Sequence, residues 1–322
     1  MAEAKKTTKV TKKTVAPEAT TEKPLISANT VITLIIPAKE AESAYNKALT
    51  KLAKKISVAG FRKGKVPAIV AEENIKPETI IEESLQIVIP ALYTKELQKS
   101  GLKPLTYPEF NPISLEKGKD WVVEAYIAVR PEIDLKGYEK IVNKAQKDAQ
   151  KELEKQVAEM KKHVEESKGE EHAHSHAEPT EQERKDYVTQ FIYRELVQNV
   201  KPQIQELLVK EETRYDLENL AKQLKQFNIP FEKFLEQRKM TFEQLSNELA
   251  AGALARLQIA FIIDEVAKTA KLTVEKSDLD AAFAKVTDEN LKKQQETDPQ
   301  YLEMMSQTIL RQKVAEHLLN LK

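Results

Sequence analysis

The helical spacing of apolar residues through the second half of the chain constrains the fold more than any other feature. Between Thr241 and Lys271 one stripe recurs at intervals of four residues, which places it on a single helix face. A capping-box pattern in Thr241 and Gln244 opens that helix. Only seven glycines occur in 322 residues, and 32% of the residues are charged, which suits long solvated helices. The stripe consists of Leu245, Leu249, Ala253, Leu257 and Phe261.

The first half mixes strand and helix signals and predicts a small α+β domain. TVITLIIP (30–37) predicts a strand closed by proline, and WVVEAYI after KPLTYPEFNPISL predicts a hairpin with alternating burial. Three helical stretches lie between them: one follows the strand, a second opens at Val66-Pro67, and the third contains Pro90, which predicts a kink, and ends at Gly101. We expect an α+β domain at residues 29–143, followed by an elongated all-α domain at 184–322, in a multidomain and mainly helical protein.

The remaining segments predict a disordered basic tail at residues 1–28 and, at 144–183, a charged helix followed by a polar linker. In that linker His172, His174 and His176 occupy alternate positions and are close enough to chelate Zn²⁺ or Ni²⁺. Their acidic, flexible flanks offer no ordered second shell, which favours solvent-exposed histidines over a metal site. The chain has no cysteine, no signal-peptide pattern and no apolar run of membrane-spanning length, so we expect a cytoplasmic protein.

Positive charge is concentrated in one window of a chain whose formal net charge is zero, with 51 basic and 51 acidic residues. No acidic residue lies between Glu42 and Glu72. At i, i+4 spacing, three lysines form one predicted helical ridge that can pair with phosphates: Lys47, Lys51 and Lys55. A lysine-rich helix alone is more often a solvated face, so this ridge gains weight only from the loop that comes after it in the chain.

The loop GFRKGKVP (60–67) adds three cations around one aromatic residue, a few positions after the ridge. Its two glycines permit backbone angles that other residues avoid, so the loop can be tight with Phe61 directed outward. An exposed aromatic beside cations can anchor on a mixed RNA and protein surface. The alternative is that Phe61 folds back into the core. The candidate residues of the loop are Gly60, Phe61, Arg62, Lys63, Gly64, Lys65 and Pro67.

GFRKGKVP resembles the ribosome-docking signature of the bacterial trigger factor family, Gly-Phe-Arg-x-Gly-x-x-Pro, and all five fixed positions match. The order of strand, helix, signature, helices and hairpin is similar to the N-terminal domain of that family, and VKPQIQELLVKEETRYDLENLAKQ resembles its helical domain. The resemblance implies that Phe61, Arg62 and Lys63 dock at the ribosomal exit site, on large-subunit RNA and an exit-site protein.

The resemblance also implies an ATP-independent chaperone for nascent polypeptides, with no cofactor and no membrane partner; a weak homodimer stays open. Most members carry an FKBP-like prolyl isomerase domain between the two halves, but residues 144–183 have no aromatic residue and no strand pattern. We therefore expect no isomerase activity and no enzyme. A free holdase with a vestigial loop, or a non-ribosomal RNA-binding protein, remains an alternative. Apolar residues of the helical half fit either a core or a client cradle, including Met240, Met304 and Met305.

Without an isomerase domain, the protein should not accelerate refolding that is limited by proline isomerisation. A model substrate should refold at its uncatalysed rate, on the order of tens to hundreds of seconds, with and without the protein. An active FKBP-type isomerase serves as the positive control. Acceleration that an FKBP-type inhibitor abolishes would contradict the expectation.

Overall fold

The computed structural model describes residues 24–166, 179–284 and 286–321. Strands and helices of the first half begin with a short strand and end with a long helix: β1 Ile26–Ser27, β2 Thr30–Ile36, α1 Ala38–Ala53, α2 Ala68–Asn74, α3 Pro77–Ser100, β3 Glu109–Ser114, β4 Trp121–Ile127 and α4 Tyr138–Glu166. The second half is almost entirely helical: α5 Glu181–Val200, β5 Ile204–Gln205, α6 Glu206–Gln226, α7 Phe231–Arg238, α8 Phe242–Thr269, α9 Lys276–Phe283, α10 Glu289–Thr297 and α11 Pro299–Asn320. The predicted fold class is confirmed.

The N-terminal sheet has the strand order β2-β4-β3, with β4 antiparallel to both neighbours. Its inner face carries the alternating residues that the sequence predicts, since Val123, Ala125 and Ile127 of β4 are fully buried and Trp121 nearly so. Helices α1 and α3 pack against each other, and Ile89 of α3 joins the apolar cluster of the sheet. The sheet and these helices position the loop between α1 and α2.

Helices α4, α5, α8 and α11 share the largest apolar cluster. Ile192 of α5, Ile262 of α8 and Leu318 of α11 are completely buried there. A second cluster joins α6 and α8 to the end of the sheet, through Phe261 and the fully buried Ala128. Helix α8 therefore packs in both clusters, and the capping box predicted at Thr241 and Gln244 is present at its start. No helix in the described ranges is long and apolar enough to cross a membrane.

Three parts of the structure differ from the sequence-based expectation. The tail does not extend to residue 28, because Ile26 and Ser27 pair in parallel with Ile204 and Gln205. The expected boundary between residues 143 and 144 falls inside α4, because buried alanines beyond it pack in the helical body. The sequence does not predict helix α10, since this segment is too polar to show an apolar period. Residues 1–23 of the expected tail and 167–178 of the expected linker lie outside the described residues.

Residues 24–30 bind across the helical body as a strap. The backbone N–H of Ile204 donates to the carbonyl oxygen of Leu25 at 2.9 Å, and the side-chain amide of Gln203 donates to Pro24 at 3.0 Å. Asn29 Oδ1 accepts from the backbone N–H of Leu207 at 2.7 Å, in the first turn of α6. That N–H has no partner within its own helix, so Asn29 caps α6 from a distant segment.

Replacing Asn29 with Ala should lower the free energy of unfolding by about 1 kcal/mol, because the capped N–H of Leu207 loses its acceptor. Urea denaturation followed by circular dichroism measures the change. Asn247→Ala is the matched control, since Asn247 is exposed on α8 and its side chain makes no hydrogen bond among the described residues. Equal midpoints for the two variants would contradict the capping role.

Candidate functional site

The loop that follows α1 is built from two tight turns with a glycine in the left-handed region in each. Gly60 has φ +85° and Gly64 has φ +84°, conformations that side-chain-bearing residues rarely adopt. The backbone N–H of Phe61 donates to Val58 at 3.1 Å, and that of Lys65 donates to Arg62 at 2.9 Å. These turns place the residues between the two glycines at the tip of the loop.

Phe61 is exposed at the loop tip, with 41% of its surface accessible. Arg62, Lys63 and Lys65 are exposed beside it, whereas Val66 is buried and fixes the end of the loop in the core below α1. The alternative in which Phe61 folds into the core is therefore wrong. The structure brings the aromatic residue and three cations together on one surface, and Pro67 follows as the N-cap of α2. Their docking role stays a prediction.

The lysine ridge is exposed but is partly neutralised. Lys51 forms an ion pair with Glu83 of α3, and its hydrogen bond holds the pKa of Glu83 below the ordinary value. Helix α1 ends at Ala53, so Lys55 lies in the following turn rather than on the helix. Lys54 instead joins Lys47 and Lys51 along a shallow groove on the outer side of α1. Local spacing predicts the ridge, but the acidic partner comes from a distant helix.

A second polar cluster, which sequence analysis does not predict, fixes α2 below the loop. Glu72 of α2 accepts hydrogen bonds from the Tyr45 hydroxyl at 3.1 Å and from Lys117 Nζ at 2.9 Å. Both hydrogen bonds lower the pKa of Glu72, and the one from Lys117 has the larger effect. Lys117 also lies 5.2 Å from the ring centre of Tyr45, within cation–π distance. This cluster joins α1, α2 and the β3–β4 turn, and so holds the base of the loop.

The apolar stripe predicted for α8 is mostly core. Leu245, Ala253 and Phe261 are buried, whereas Leu249 and Leu257 are half-buried. Of the methionines considered as adaptable contacts, Met304 is 54% exposed, and Met240 and Met305 are half-buried. The stripe therefore stabilises the helical body, and accessible apolar surface lies at its margins.

No group of three or more metal-binding side chains occurs within residues 24–166, 179–284 and 286–321. The candidates His172, His174 and His176 lie outside these ranges. His317 has a structural contact, since its Nε2 lies 3.2 Å from the hydroxyl oxygen of Tyr138 and joins α11 to the start of α4.

Fold and loop together define a class: a helical protein of two parts, with an exposed aromatic and basic loop on a small α+β domain. A family model described as bacterial trigger factor protein matches residues 18–164, and one described as the C-terminus of that protein matches 163–320. The two models together account for nearly the whole chain. The chain belongs to the bacterial trigger factor family.

Individual relatives support the same assignment over a shorter stretch. The trigger factor of Staphylococcus saprophyticus is 37% identical over 109 residues, which is 34% of this chain and 25% of the relative. The trigger factor of Staphylococcus epidermidis is 36% identical over 109 residues, which is again 34% of this chain and 25% of the relative. The aligned stretch thus spans a quarter of the length of these curated relatives.

A solved structure from work on promiscuous substrate recognition in folding and assembly activities of the trigger factor chaperone has the same fold. Its TM-score to this chain is 0.56 at 14% identity, over 91% of this chain and 97% of that one. At this identity the similarity concerns the fold alone.

Replacing Glu83 with Gln should strengthen polyanion binding, because it releases Lys51 from its ion pair. The affinity for a single-stranded RNA oligonucleotide should rise, and its logarithmic salt dependence should steepen by about 0.7 if Lys51 then meets one phosphate. Fluorescence anisotropy across a salt series measures both. Glu96→Gln is the matched control, since Glu96 pairs with Lys99 at the other end of α3 and its loss changes net charge equally. Identical effects of the two variants would contradict a local role of Lys51.

Proposed function

We propose that this protein is an ATP-independent chaperone that docks on the ribosome and shields nascent polypeptides, without prolyl isomerase activity. Its place of action is the cytoplasm, at the exit site of the large subunit. The loop of residues 60–67 makes the contact with ribosomal RNA and an exit-site protein. The helical body holds the unfolded client.

The exposure of Phe61 between cations carries the docking proposal. The φ values of Gly60 and Gly64 keep the partly exposed ring at the tip of the loop, beside Arg62 and Lys63. A partner with an apolar pocket beside phosphates satisfies both the ring and the adjacent charges. A ribosomal surface of RNA and protein has this composition, and family membership supports it.

The helical body supports the chaperone proposal through its partly open apolar clefts and exposed apolar residues. Met304 is exposed on α11, and Phe227 and Phe242 are exposed on either side of α7. The ring centres of Phe231 and Phe242 lie 6.1 Å apart. Exposed apolar side chains that lie close together favour contact with another chain. No nucleotide-binding fingerprint is visible in the sequence, which favours binding without ATP.

The proposal of no isomerase activity rests on the space between α4 and α5. Only residues 167–180 separate Glu166, the end of α4, from Glu181, the start of α5. A domain with a core of its own needs roughly 40 residues or more without a disulfide or a metal. An FKBP-like domain does not fit in that interval.

Replacing Phe61, Arg62 and Lys63 together with Ala should abolish ribosome binding and leave folding intact. Truncation of an aromatic or Arg anchor costs about 2 kcal/mol or more of binding, whereas exposed substitutions change stability by about 0.5 kcal/mol or less. Loss of two phosphate contacts should also reduce the logarithmic salt slope by about 1.4–1.8. Ribosome co-sedimentation, thermal melting and aggregation of a denatured client are measured side by side. Suppression of aggregation should survive.

The triple substitution of Lys222, Lys225 and Phe227 with Ala is the matched control, because it removes one exposed aromatic and two exposed lysines at the end of α6. It should pellet with ribosomes like the wild type. Normal pelleting of the loop variant would refute the docking assignment. A wild type that never pellets would favour the free holdase, and retention on protein-free ribosomal RNA alone would favour the RNA-binding alternative.

A further inference from the structure

Strands β2 and β3 form the two edges of the N-terminal sheet, because β4 lies between them in the part of the chain that the structure describes. The edge of β3 is protected against further pairing. Pro112 interrupts this strand, and its register with β4 shifts between Pro112 and Ser114. Proline and irregular pairing are two of the features by which natural sheets prevent another strand from joining an edge.

The edge formed by β2 has neither feature. All seven residues of this strand pair with β4 in an unbroken register, from Thr30 opposite Ile127 to Ile36 opposite Trp121. Its sequence, TVITLII, contains no charged residue and no proline. Within the described ranges, no backbone hydrogen bond outside that ladder involves residues 30–36. The sheet therefore has one protected edge and one regular, unprotected edge.

The register identifies which backbone groups of β2 lie at this edge. Pro112 has no N–H and lies opposite Val123, so the backbone groups of Val123 point away from β3 and toward Leu34 of β2. The backbone N–H of Leu105 donates to the carbonyl oxygen of Ala128 at 2.8 Å, which fits the same alternation along β4. Leu34 and the residues two positions from it thus bond to β4. The residues between them direct their N–H and C=O groups to the open edge.

These outward-directed residues are Val31, Thr33 and Ile35. Their side chains lie on the exposed face of the sheet, since Val31 is 44% accessible, Ile35 is 56% accessible and Thr33 is exposed. All three are β-branched, which suits packing beside the side chains of a neighbouring strand. A strand at this edge would therefore meet backbone donors and acceptors and a mainly apolar row on the same three residues.

We propose that the edge of β2 binds extended, uncharged segments of unfolded polypeptide by strand addition. The backbone of the segment exchanges N–H to C=O hydrogen bonds with Val31, Thr33 and Ile35, and its side chains pack beside theirs on the exposed face. The inference rests on the proposed chaperone function, because it adds a client-binding site on the docking domain, separate from the helical body.

The chemistry of the edge determines the class of segment. A charged side chain in the added strand would lie beside Val31 or Ile35, and residues 30–36 supply no opposite charge to offset its desolvation. The acidic side chain in the row of Thr33, Glu124, is one strand farther away. Backbone bonding also favours an unfolded chain, since a folded partner already pairs its backbone groups internally.

The test uses a labelled, acetylated and amidated peptide of sequence STVTVTVTS and two N-methylated forms, measured by fluorescence anisotropy with the full chain. One form is methylated on the amide nitrogens of its three valines, and the other on those of its last three threonines. A strand that pairs along one edge uses only alternate N–H groups. One methylated form should therefore bind at least tenfold more weakly than the unmethylated peptide, and the other should stay within about threefold. Lysine in place of the central valine should also weaken binding.

A pair of protein variants locates the site. Thr33→Pro removes the central outward N–H of β2 and should weaken binding of the unmethylated peptide at least tenfold, since edge strands tolerate proline but cannot then donate at that position. Thr33→Val is the matched control, because it keeps the N–H and the β-branched shape, and it should leave binding unchanged. Thermal melting checks that both variants are folded.

Equal binding of the two methylated peptides by the wild type overturns the proposal, as does a wild type that does not bind the unmethylated peptide, and neither measurement needs a variant to fold. Undiminished binding to folded Thr33→Pro also overturns it. A dimer by light scattering that Thr33→Pro dissociates and the peptide does not would assign the edge to a second copy of the chain instead. The chaperone function is tested separately, because a wild type that fails to suppress aggregation of a denatured client contradicts that function whatever the peptides show.

Discussion

The side-chain amide of Gln205 joins the sheet domain to the helical body through two hydrogen bonds. Its oxygen accepts from the backbone N–H of Val129 at 2.7 Å, and its nitrogen donates to the Thr30 hydroxyl at 2.9 Å. One amide thus binds both the start of β2 and the segment after β4. Ala128 is fully buried beside it, so the hydrogen bonds form next to an apolar contact and stay shielded from water.

Local patterns in the sequence predict the individual strands, helices and turns well, but they do not predict which distant residues contact each other. The alternation from Trp121 to Ile127 predicts the buried face of β4, and the two glycines of residues 60–67 predict the tight loop that their φ values show. Strands β1 and β5 have two residues each, which is too short for any periodicity, and they exist only because each supplies the other's backbone partners. Gln205 and Thr30, which share a hydrogen bond, are 175 positions apart, so no spacing rule brings them together.

Distant partners also change the charge of the surface formed by α1 and the loop of residues 60–67. A window without acidic residues predicts a strongly basic ridge, yet Glu83 from α3 compensates Lys51 and leaves Lys47, Lys55 and the loop cations without an ion pair among the described residues. Because exposed pairs contribute little to stability, this ion pair mainly sets how much positive charge the surface presents. Positive charge therefore extends from α1 to the loop, where the exposed Phe61 lies beside it.

Helix α4 packs into the helical body through residues of its first half. Ala145 and Ala149 are buried against α5, and their small side chains allow the two helices to approach closely. Gln146 Nε2 donates to the carbonyl oxygen of Leu318 at 2.6 Å, and so satisfies a carbonyl in the last turn of α11. These contacts lie in the first half of α4, far from the end that leads to residue 167. A domain placed between α4 and α5 would extend from the end of this helix pair, away from the contacts of Ala145, Gln146 and Ala149.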